Sequence, residues 1–141
     1  MLVRSFQLSD YAAITNLLEE VLSESCAEET MEAFAKQLSL DSDLILVALM
    51  DGEIAGVVIG TIDHRDEGYY YRIAVSRQFQ RQGIGRQLIQ MLKRRFVQRK
   101  VKKIHITVDQ HNEPILPVYE SAGYAPADFS RSYRHLRIVS G

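Results

Sequence analysis

The most constraining feature of this sequence is a glycine-containing turn between a strand-like segment and a long amphipathic segment. Residues 69–75 are mostly aromatic and β-branched, which is typical of a strand. The turn Gln80-Arg81-Gln82-Gly83-Ile84-Gly85 comes shortly after, and apolar residues then recur at helical spacing as far as Phe96. The fold must therefore place a strand, a tight turn and a helix in direct succession.

The start of a helix in such a turn is suited to binding phosphate. Its first backbone N–H groups have no partner within the helix, and the helix dipole is positive there. Glycines at 83 and 85 let the backbone approach an anion, and arginines at 81 and 86 flank it. We therefore predict a diphosphate site formed by Arg81, Gln82, Gly83, Ile84, Gly85 and Arg86. The spacing alone leaves open an ordinary glycine-bearing turn with solvated arginines.

Two well-known phosphate-binding turns do not fit these residues. A P-loop requires Gly-Lys-Ser/Thr, yet Gly85 is followed by Arg86 and Gln87, so the lysine and the hydroxyl are both missing. A Rossmann turn requires a third small residue for close helix packing, where this sequence has Leu88. Both classes of nucleotide site are therefore excluded.

The pattern Gln80-x-x-Gly83-x-Gly85 resembles the Gln/Arg-x-x-Gly-x-Gly/Ala motif of the GCN5-related N-acetyltransferases, which transfer acetyl from acetyl-CoA to an amine. Downstream, Asn112, Tyr119 and Gly123-Tyr124 resemble the second signature of that family. The resemblance covers essentially the whole chain. It implies an α/β (α+β) fold with a mixed, mostly antiparallel twisted sheet of six to seven strands, helices on both faces and a central parallel strand–helix–strand unit. It also implies a single N-acetyltransferase domain over residues 1–141.

The resemblance further implies roles for individual residues. The backbone of Ile73, Ala74 and Val75 is expected to pair with the pantetheine arm, and the Ile73 N–H to polarise the thioester carbonyl. Asn112 is implied as a cofactor contact. Tyr119 is implied as a cofactor contact and as the acid that protonates the departing thiolate, because a phenol with a pKa of ~10 stays protonated at pH 7. Helical spacing alone would favour a packed core position for Tyr119.

The sequence departs from the family pattern in two places. Many relatives carry a glutamate on the strand that corresponds to residues 69–75, which here holds no carboxylate. Removal of the acceptor's proton is therefore assigned to a chain of water molecules or to the preceding loop, where Glu67 is preferred over Asp66 and His64. A polar, solvated loop after a hairpin explains these three residues without any chemistry. The second departure is Pro117, which should lie at the start of its helix.

The charges of the chain are divided between its halves. Residues 1–67 hold fourteen acids and three bases, and residues 68–141 hold four acids and fourteen bases, which is −11 against +10. The basic half suits the phosphates of acetyl-CoA, and the acidic half suits a cationic acceptor. We therefore expect the acceptor to be a primary amine, on a small cationic molecule or on a protein or peptide. The total of −1 argues against a nucleic-acid partner.

Composition supports a cytoplasmic location without a membrane partner or a metal. The longest apolar run, 44–50, is far shorter than the ~20 residues that span a bilayer, and the N-terminus lacks a secretory core. Cys26 is the single cysteine and is expected to be a packing residue, and the four histidines lack zinc-site spacing. Two alternatives remain open: a noncatalytic acyl-CoA sensor or interaction module with the same fold, and transfer of a longer acyl chain or transfer to another nucleophile.

Periodicity predicts the other elements. They are a strand at 2–6, a helix with an apolar stripe from Ile14 to Leu22, a helix at 28–38, a hairpin of strands 44–50 and 53–63 around Asp51-Gly52, a helix at 83–98, and strands at 103–108 and 130–139. Tyr133 and Leu136 on the last strand would offer a homodimer surface.

Overall fold

The computed structural model describes residues 1–140 and contains a six-stranded sheet with helices on both faces. The strands are β1 (Leu2–Ser5), β2 (Ile45–Met50), β3 (Glu53–Ile62), β4 (Glu67–Val75), β5 (Lys103–Thr107) and β6 (Phe129–Ser130). The helices are α1 (Tyr11–Val21), α2 (Glu24–Asp41), α3 (Ile84–Gln98), α4 (Leu116–Ser121) and α5 (Arg137–Ser140). Neighbouring strands follow chain order, antiparallel from β1 to β4 and parallel from β4 to β6. The predicted fold class is confirmed.

The hairpin between β2 and β3 turns at Asp51 and Gly52, as predicted. Both residues have positive φ angles, 51° and 80°. A type I′ two-residue hairpin loop requires that geometry at both positions, and glycine adopts it without a steric penalty. The local sequence is therefore sufficient to set this turn.

The sheet separates two apolar cores. Tyr69 and Tyr71 of β4 pack with α1, α2 and α5, whereas Tyr70 packs with α3 and α4 on the other face. Helix α3 lies very close to the sheet, because a Cβ atom at Gly60 would be 2.8 Å from Leu92. The glycines of the sheet thus permit α3 to pack directly on the strands, which fixes the start of the helix beside the end of β4.

Strands β4 and β5 separate before β4 ends. Their parallel pairing stops at Tyr70 and Ile106, although β4 continues to Val75. The pairing of β4 with β3 shifts by one residue between Ile59 and Gly60, which leaves Tyr71 without an opposite residue. Such a bulge bends a strand. Residues 71–75 therefore have no strand partner on the β5 side.

The predicted last strand at 130–139 is wrong. Only Phe129 and Ser130 form β6, and α5 begins at Arg137. The Leu136 N–H donates to the Tyr133 carbonyl (3.1 Å), so these two residues lie in a turn and not in a strand. They are 3% and 1% exposed and pack in the core below α1 and α2, so they offer no dimer surface.

Helix α2 is longer than the predicted 28–38. It begins at Glu24, directly after Ser23, whose backbone is extended as an N-cap residue should be. The early start carries Cys26 into the helix. Through residue 140, no helix combines the length and the apolar character that a bilayer crossing needs.

Candidate active site

A groove of about 650 Å³ runs between the end of β4, the turn before α3, and α4. Most of the residues predicted to bind the cofactor line this groove: Ile73, Ala74, Val75, Arg81, Gly83, Ile84, Gly85 and Arg86. Its volume is within the range of small-molecule sites. Gln82 is exposed in the same turn and does not line the groove.

The turn before α3 has left-handed backbone at Arg81 (φ 65°) and Gly83 (φ 78°). Glycine takes that conformation without cost, whereas other residues lose about 1–2 kcal/mol. The side-chain amide of Gln80 donates to the Val75 carbonyl (3.2 Å) and so ties the turn to β4. Glutamine and glycine at these positions therefore shape the turn.

The first turn of α3 presents free N–H groups to the groove. The Gln87 N–H donates to the Gly83 carbonyl (3.1 Å), whereas the N–H groups of Ile84, Gly85 and Arg86 precede the first helical acceptor. A Cβ atom at Gly85 would lie 3.6 Å from the Val118 side chain, so a larger residue would fill the space between α3 and α4. Free N–H groups, arginines and open space fit the diphosphate of coenzyme A.

The edge of β4 beside the groove has unpaired backbone groups. The Ser76 N–H donates to Ala55 of β3 (2.8 Å), and backbone groups alternate sides along an antiparallel strand. The N–H groups of Ile73 and Val75 therefore point away from β3, toward the space that β5 leaves open. An extended ligand could pair with them as an added strand would.

Tyr119 lies in α4 and is 0% exposed. Its ring packs at 5.4 Å and 72° against Tyr70, and its hydroxyl has no hydrogen-bond partner among residues 1–140. Burial raises the pKa of Tyr119, so the phenol keeps its proton at neutral pH. Helix α4 begins at Leu116 with Pro117 in its first turn, which is the place expected for the proline.

A second cavity, of about 640 Å³, adjoins the same stretch of β4. Its charged and polar lining comes from α2, β4 and the loops after β5 and β6: Cys26, Glu29, Arg72, Asp109, His111 and Arg134. None of these residues was predicted from the sequence to be catalytic or to bind the cofactor; Cys26 was expected to pack, and Glu29 to face water or the acceptor. A signal was present for two of them, because Asp109 and His111 follow the carboxyl end of β5, where sheets of this kind bind ligands.

Arg72 organises the second cavity. Its guanidinium is 1% exposed. Its N–H groups are directed at Thr30 (3.0 Å), Asp109 (2.8 Å), Asn112 (3.2 Å), Glu29 (3.4 Å) and Tyr71 (3.4 Å). A guanidinium has five N–H groups, so these five contacts use all of them. Arg72 therefore holds two carboxylates in fixed positions and has no N–H group left for a ligand.

The titratable groups of this cavity are held in different states. Burial raises the pKa of Glu29 and of Asp109, but hydrogen bonds and nearby guanidinium groups outweigh burial, and both pKa values lie below the usual range. Burial and the charge of Arg72 lower the pKa of His111, whose buried Nε2 has no partner within residues 1–140. At neutral pH the carboxylates are therefore charged and the imidazole is neutral.

Cys26 lines the same cavity and packs against the core. Its sulfur lies 3.9 Å from the Thr30 hydroxyl, and burial raises the pKa of the thiol. The thiol therefore stays protonated, as a packing residue would.

Two predicted site residues lie elsewhere. Asn112 is 0% exposed, and its amide donates to the carbonyls of Tyr71 (3.1 Å) and Thr107 (2.8 Å). It closes the gap where β4 and β5 separate, and its predicted contact with the cofactor stays a prediction. Glu67 begins β4, pairs with His105, and is six residues from Ile73, which is about 20 Å along a strand. This separation argues against Glu67, Asp66 and His64 as the base, and the assignment stays a prediction.

Comparison with known proteins agrees with this architecture. A sequence model of the acetyltransferase (GNAT) family matches residues 11–124. A Pectobacterium atrosepticum protein named as an acetyltransferase is 34% identical over 130 residues, which are 91% of this chain and 90% of that protein. The chain belongs to the GNAT family. It is an acetyl-CoA-dependent N-acetyltransferase, as the two sequence motifs predicted.

Solved structures share the fold. An aminoglycoside 6'-N-acetyltransferase from Acinetobacter haemolyticus has a TM-score of 0.71 at 15% identity, covering 89% of this chain and 91% of that one. The structure of the NatC complex bound to Gag peptide and CoA has a TM-score of 0.70 at 19% identity, covering 88% of this chain and 84% of that one. The ribosomal-protein-S18-alanine N-acetyltransferase of Escherichia coli has a TM-score of 0.65 at 23% identity, covering 86% of this chain and 76% of that one. These likenesses are of the fold alone.

Proposed function

We propose that this protein transfers acetyl from acetyl-CoA to a primary amine of a cationic acceptor by direct attack in a ternary complex. The observation that carries the proposal is the open edge of β4, where consecutive residues face different cavities. Arg72 lines the charged cavity and Ile73 lines the groove. A donor along β4 and an acceptor in the charged cavity would meet at this edge, so catalysis would be mainly positioning.

The groove residues would hold the donor. The free N–H groups of Ile84, Gly85 and Arg86, together with the Arg81 side chain, suit the diphosphate. The open edge from Ile73 to Val75 suits the amides of the pantetheine arm. The bound coenzyme would supply the acetyl thioester, and the Ile73 N–H would stabilise negative charge on its carbonyl oxygen.

Tyr119 would supply the proton for the departing thiolate. Its hydroxyl is protonated, buried and unpartnered within residues 1–140. Leaving such a hydroxyl unpaired costs about 1–3 kcal/mol. A sulfur atom at the end of the pantetheine arm would relieve that cost and receive the proton.

His111 would accept the proton of the reacting amine. It is neutral at pH 7, whereas Glu29 and Asp109 are held as charged carboxylates suited to binding a cation. An attacking amine must first lose a proton, and a neutral imidazole in the same cavity can take it. This assignment replaces the loop residues that the sequence favoured.

The direct test is thiol release from acetyl-CoA in the presence of polyamines, aminoglycosides, amino acids and peptides with free N-termini. We expect cationic acceptors to cause thiol release, and these acceptors to be small amines or peptides. Heat of coenzyme A binding without thiol release across the whole set would contradict acetyl transfer and would support the noncatalytic acyl-CoA sensor. A comparison of acetyl-CoA with longer acyl donors would define the acyl group.

A further inference from the structure

The two carboxylate oxygens of Glu29 have different kinds of partner. Oε2 accepts from the Tyr71 hydroxyl (2.6 Å) and from Arg72 (3.4 Å), both of which are buried. Oε1 accepts from Arg134, whose side chain is 68% exposed. One oxygen is therefore fixed by the core, and the other is covered by a side chain from the surface.

Arg134 can leave Glu29 at little cost. Its guanidinium lies over the Tyr133 ring, 5.0 Å from the centroid, at the margin of the charged cavity. Ion pairs with a well-solvated member contribute little to stability because water and salt screen them. The Tyr71 and Arg72 contacts would hold the carboxylate in place after Arg134 had moved.

The charges of the cavity balance only while Arg134 is present. Arg72 and Arg134 are positive and Glu29 and Asp109 are negative. Without Arg134 the cavity has one excess negative charge, which a cationic guest would neutralise. An anionic guest would find no free N–H group on Arg72, since all five are in use.

The group that binds Glu29 must keep its proton. A carboxylate that stays ionised favours the protonated form of a basic group beside it. A nitrogen held there would remain an ammonium or guanidinium and could not attack the thioester. The acceptor that fits this cavity therefore has a second basic group besides the reacting amine.

We propose that Glu29 binds a second cationic group of the acceptor and that Arg134 occupies the same carboxylate oxygen until the acceptor displaces it. This inference rests on the proposed acetyl transfer and narrows its substrate class to diamines and larger molecules with a retained positive charge. Arg134 acts in it as a competitor that sets the affinity for the acceptor.

The test compares 1,4-diaminobutane with butylamine, which lacks the second charge. In Arg134→Gln we expect the KM for 1,4-diaminobutane to fall about 2- to 5-fold, because a weak competitor is gone. In Glu29→Gln we expect it to rise roughly tenfold or more, because a charged hydrogen-bond acceptor is lost. The KM for acetyl-CoA should stay unchanged in both variants, and the KM for butylamine should change less than the KM for 1,4-diaminobutane.

Arg131→Gln is the matched control. Arg131 is also 68% exposed, lies three residues earlier, and pairs with Glu113 outside the cavity. The Arg131→Gln substitution removes the same charge from the same segment but outside the cavity. The KM values of this variant should therefore equal those of the unmodified enzyme. An unchanged KM in Arg134→Gln, or an equal fall in Arg131→Gln, overturns the inference and leaves acetyl transfer intact.

Binding decides the inference separately from turnover. If no amine releases thiol, the proposed function fails, and 1,4-diaminobutane is titrated calorimetrically into the protein saturated with coenzyme A. Tighter binding by Arg134→Gln than by the unmodified protein and by Arg131→Gln supports the inference. Equal binding or no binding overturns it.

Discussion

The groove and the charged cavity adjoin the same strand but are built from different parts of the chain. The groove uses backbone groups and glycines within one segment, residues 73–86, and adds apolar side chains from α1, from α4 and from the turn before α4. The cavity uses side chains that are far apart in the sequence: Glu29, Arg72, Asp109 and Arg134. The proposed donor site therefore depends on local backbone geometry, and the proposed acceptor site depends on long-range packing.

Replacing Arg72 should disrupt the cavity most. Arg72→Met should lower the free energy of unfolding by about 3–5 kcal/mol, because it leaves two carboxylates in a poorly solvated site without their counter-charge. Urea unfolding measures this. Arg99→Met is the control: Arg99 is 36% exposed and pairs with Asp41 and Asp43, so its loss should be about 1 kcal/mol or less. Similar losses in the two variants would contradict the central role of Arg72. Folded Arg72→Met should still bind coenzyme A.

Replacing Gly83 should disrupt the groove and leave the cavity intact. Gly83→Asp puts a negative charge beside the phosphate site, and repulsion of ~4 kcal/mol would raise the Kd for coenzyme A roughly 10³-fold. Gly52→Asp is the control, because the two glycines have nearly equal φ angles (78° and 80°) and open space at the Cβ position. The Tm should fall by a similar amount in both variants. Only Gly83→Asp should bind coenzyme A more weakly, as measured by calorimetry. Unchanged affinity would remove the phosphate site from this turn.

Tyr119 is buried in α4 and lines neither the groove nor the charged cavity, so its substitution tests the proposed proton transfer. Tyr119→Phe should lower kcat about 10²-fold, since it removes the proton donor. Its Tm should not fall, because the hydroxyl has no partner within the described residues. Tyr70→Phe should show the opposite result. It loses hydrogen bonds to the Ile89 carbonyl (2.9 Å) and to Tyr124 (2.7 Å), so Tm should fall while kcat is kept. A normal kcat in Tyr119→Phe would show that its hydroxyl has no part in the reaction.

The pH profile should give the smallest effect. A base whose pKa is lowered is neutral above that pKa and protonated below it, so kcat/KM should fall only as the pH drops below 6.5, the ordinary histidine value. His111→Gln should remove this fall of kcat/KM at acidic pH and reduce activity several-fold at pH 7. His64→Gln, at the other end of β4, is the control and should keep the fall of kcat/KM at acidic pH. The same fall in His111→Gln would exclude His111 as the base.

The sequence predicted the fold better than the site. The glycine turn, the hairpin at Asp51-Gly52 and the order of strand, helix and strand all depend on neighbours in the chain, and the structure contains each of them. The segment after residue 130 was assigned incorrectly because Tyr133 and Leu136 are buried by distant helices. The prediction of a single domain stays a prediction.

The proposed base differs from the predicted one for a related reason. Glu67 precedes the strand that carries the motif, so it is close to the site in sequence, but a strand separates its ends by about 3.3 Å per residue. His111 follows a different strand, and parallel pairing brings the end of that strand beside the middle of β4.

By itself the sequence determined the turn of the proposed donor site, because the start of a helix after a glycine turn needs only a few adjacent residues whose backbone angles and free N–H groups are fixed locally. Only the tertiary structure decided the charged cavity, which is the proposed acceptor site. Charged side chains from α2, β4 and two loops meet there because the sheet and helices bury Arg72 among them. Their pKa values depend on that burial and on those contacts, which no local pattern in the chain encodes.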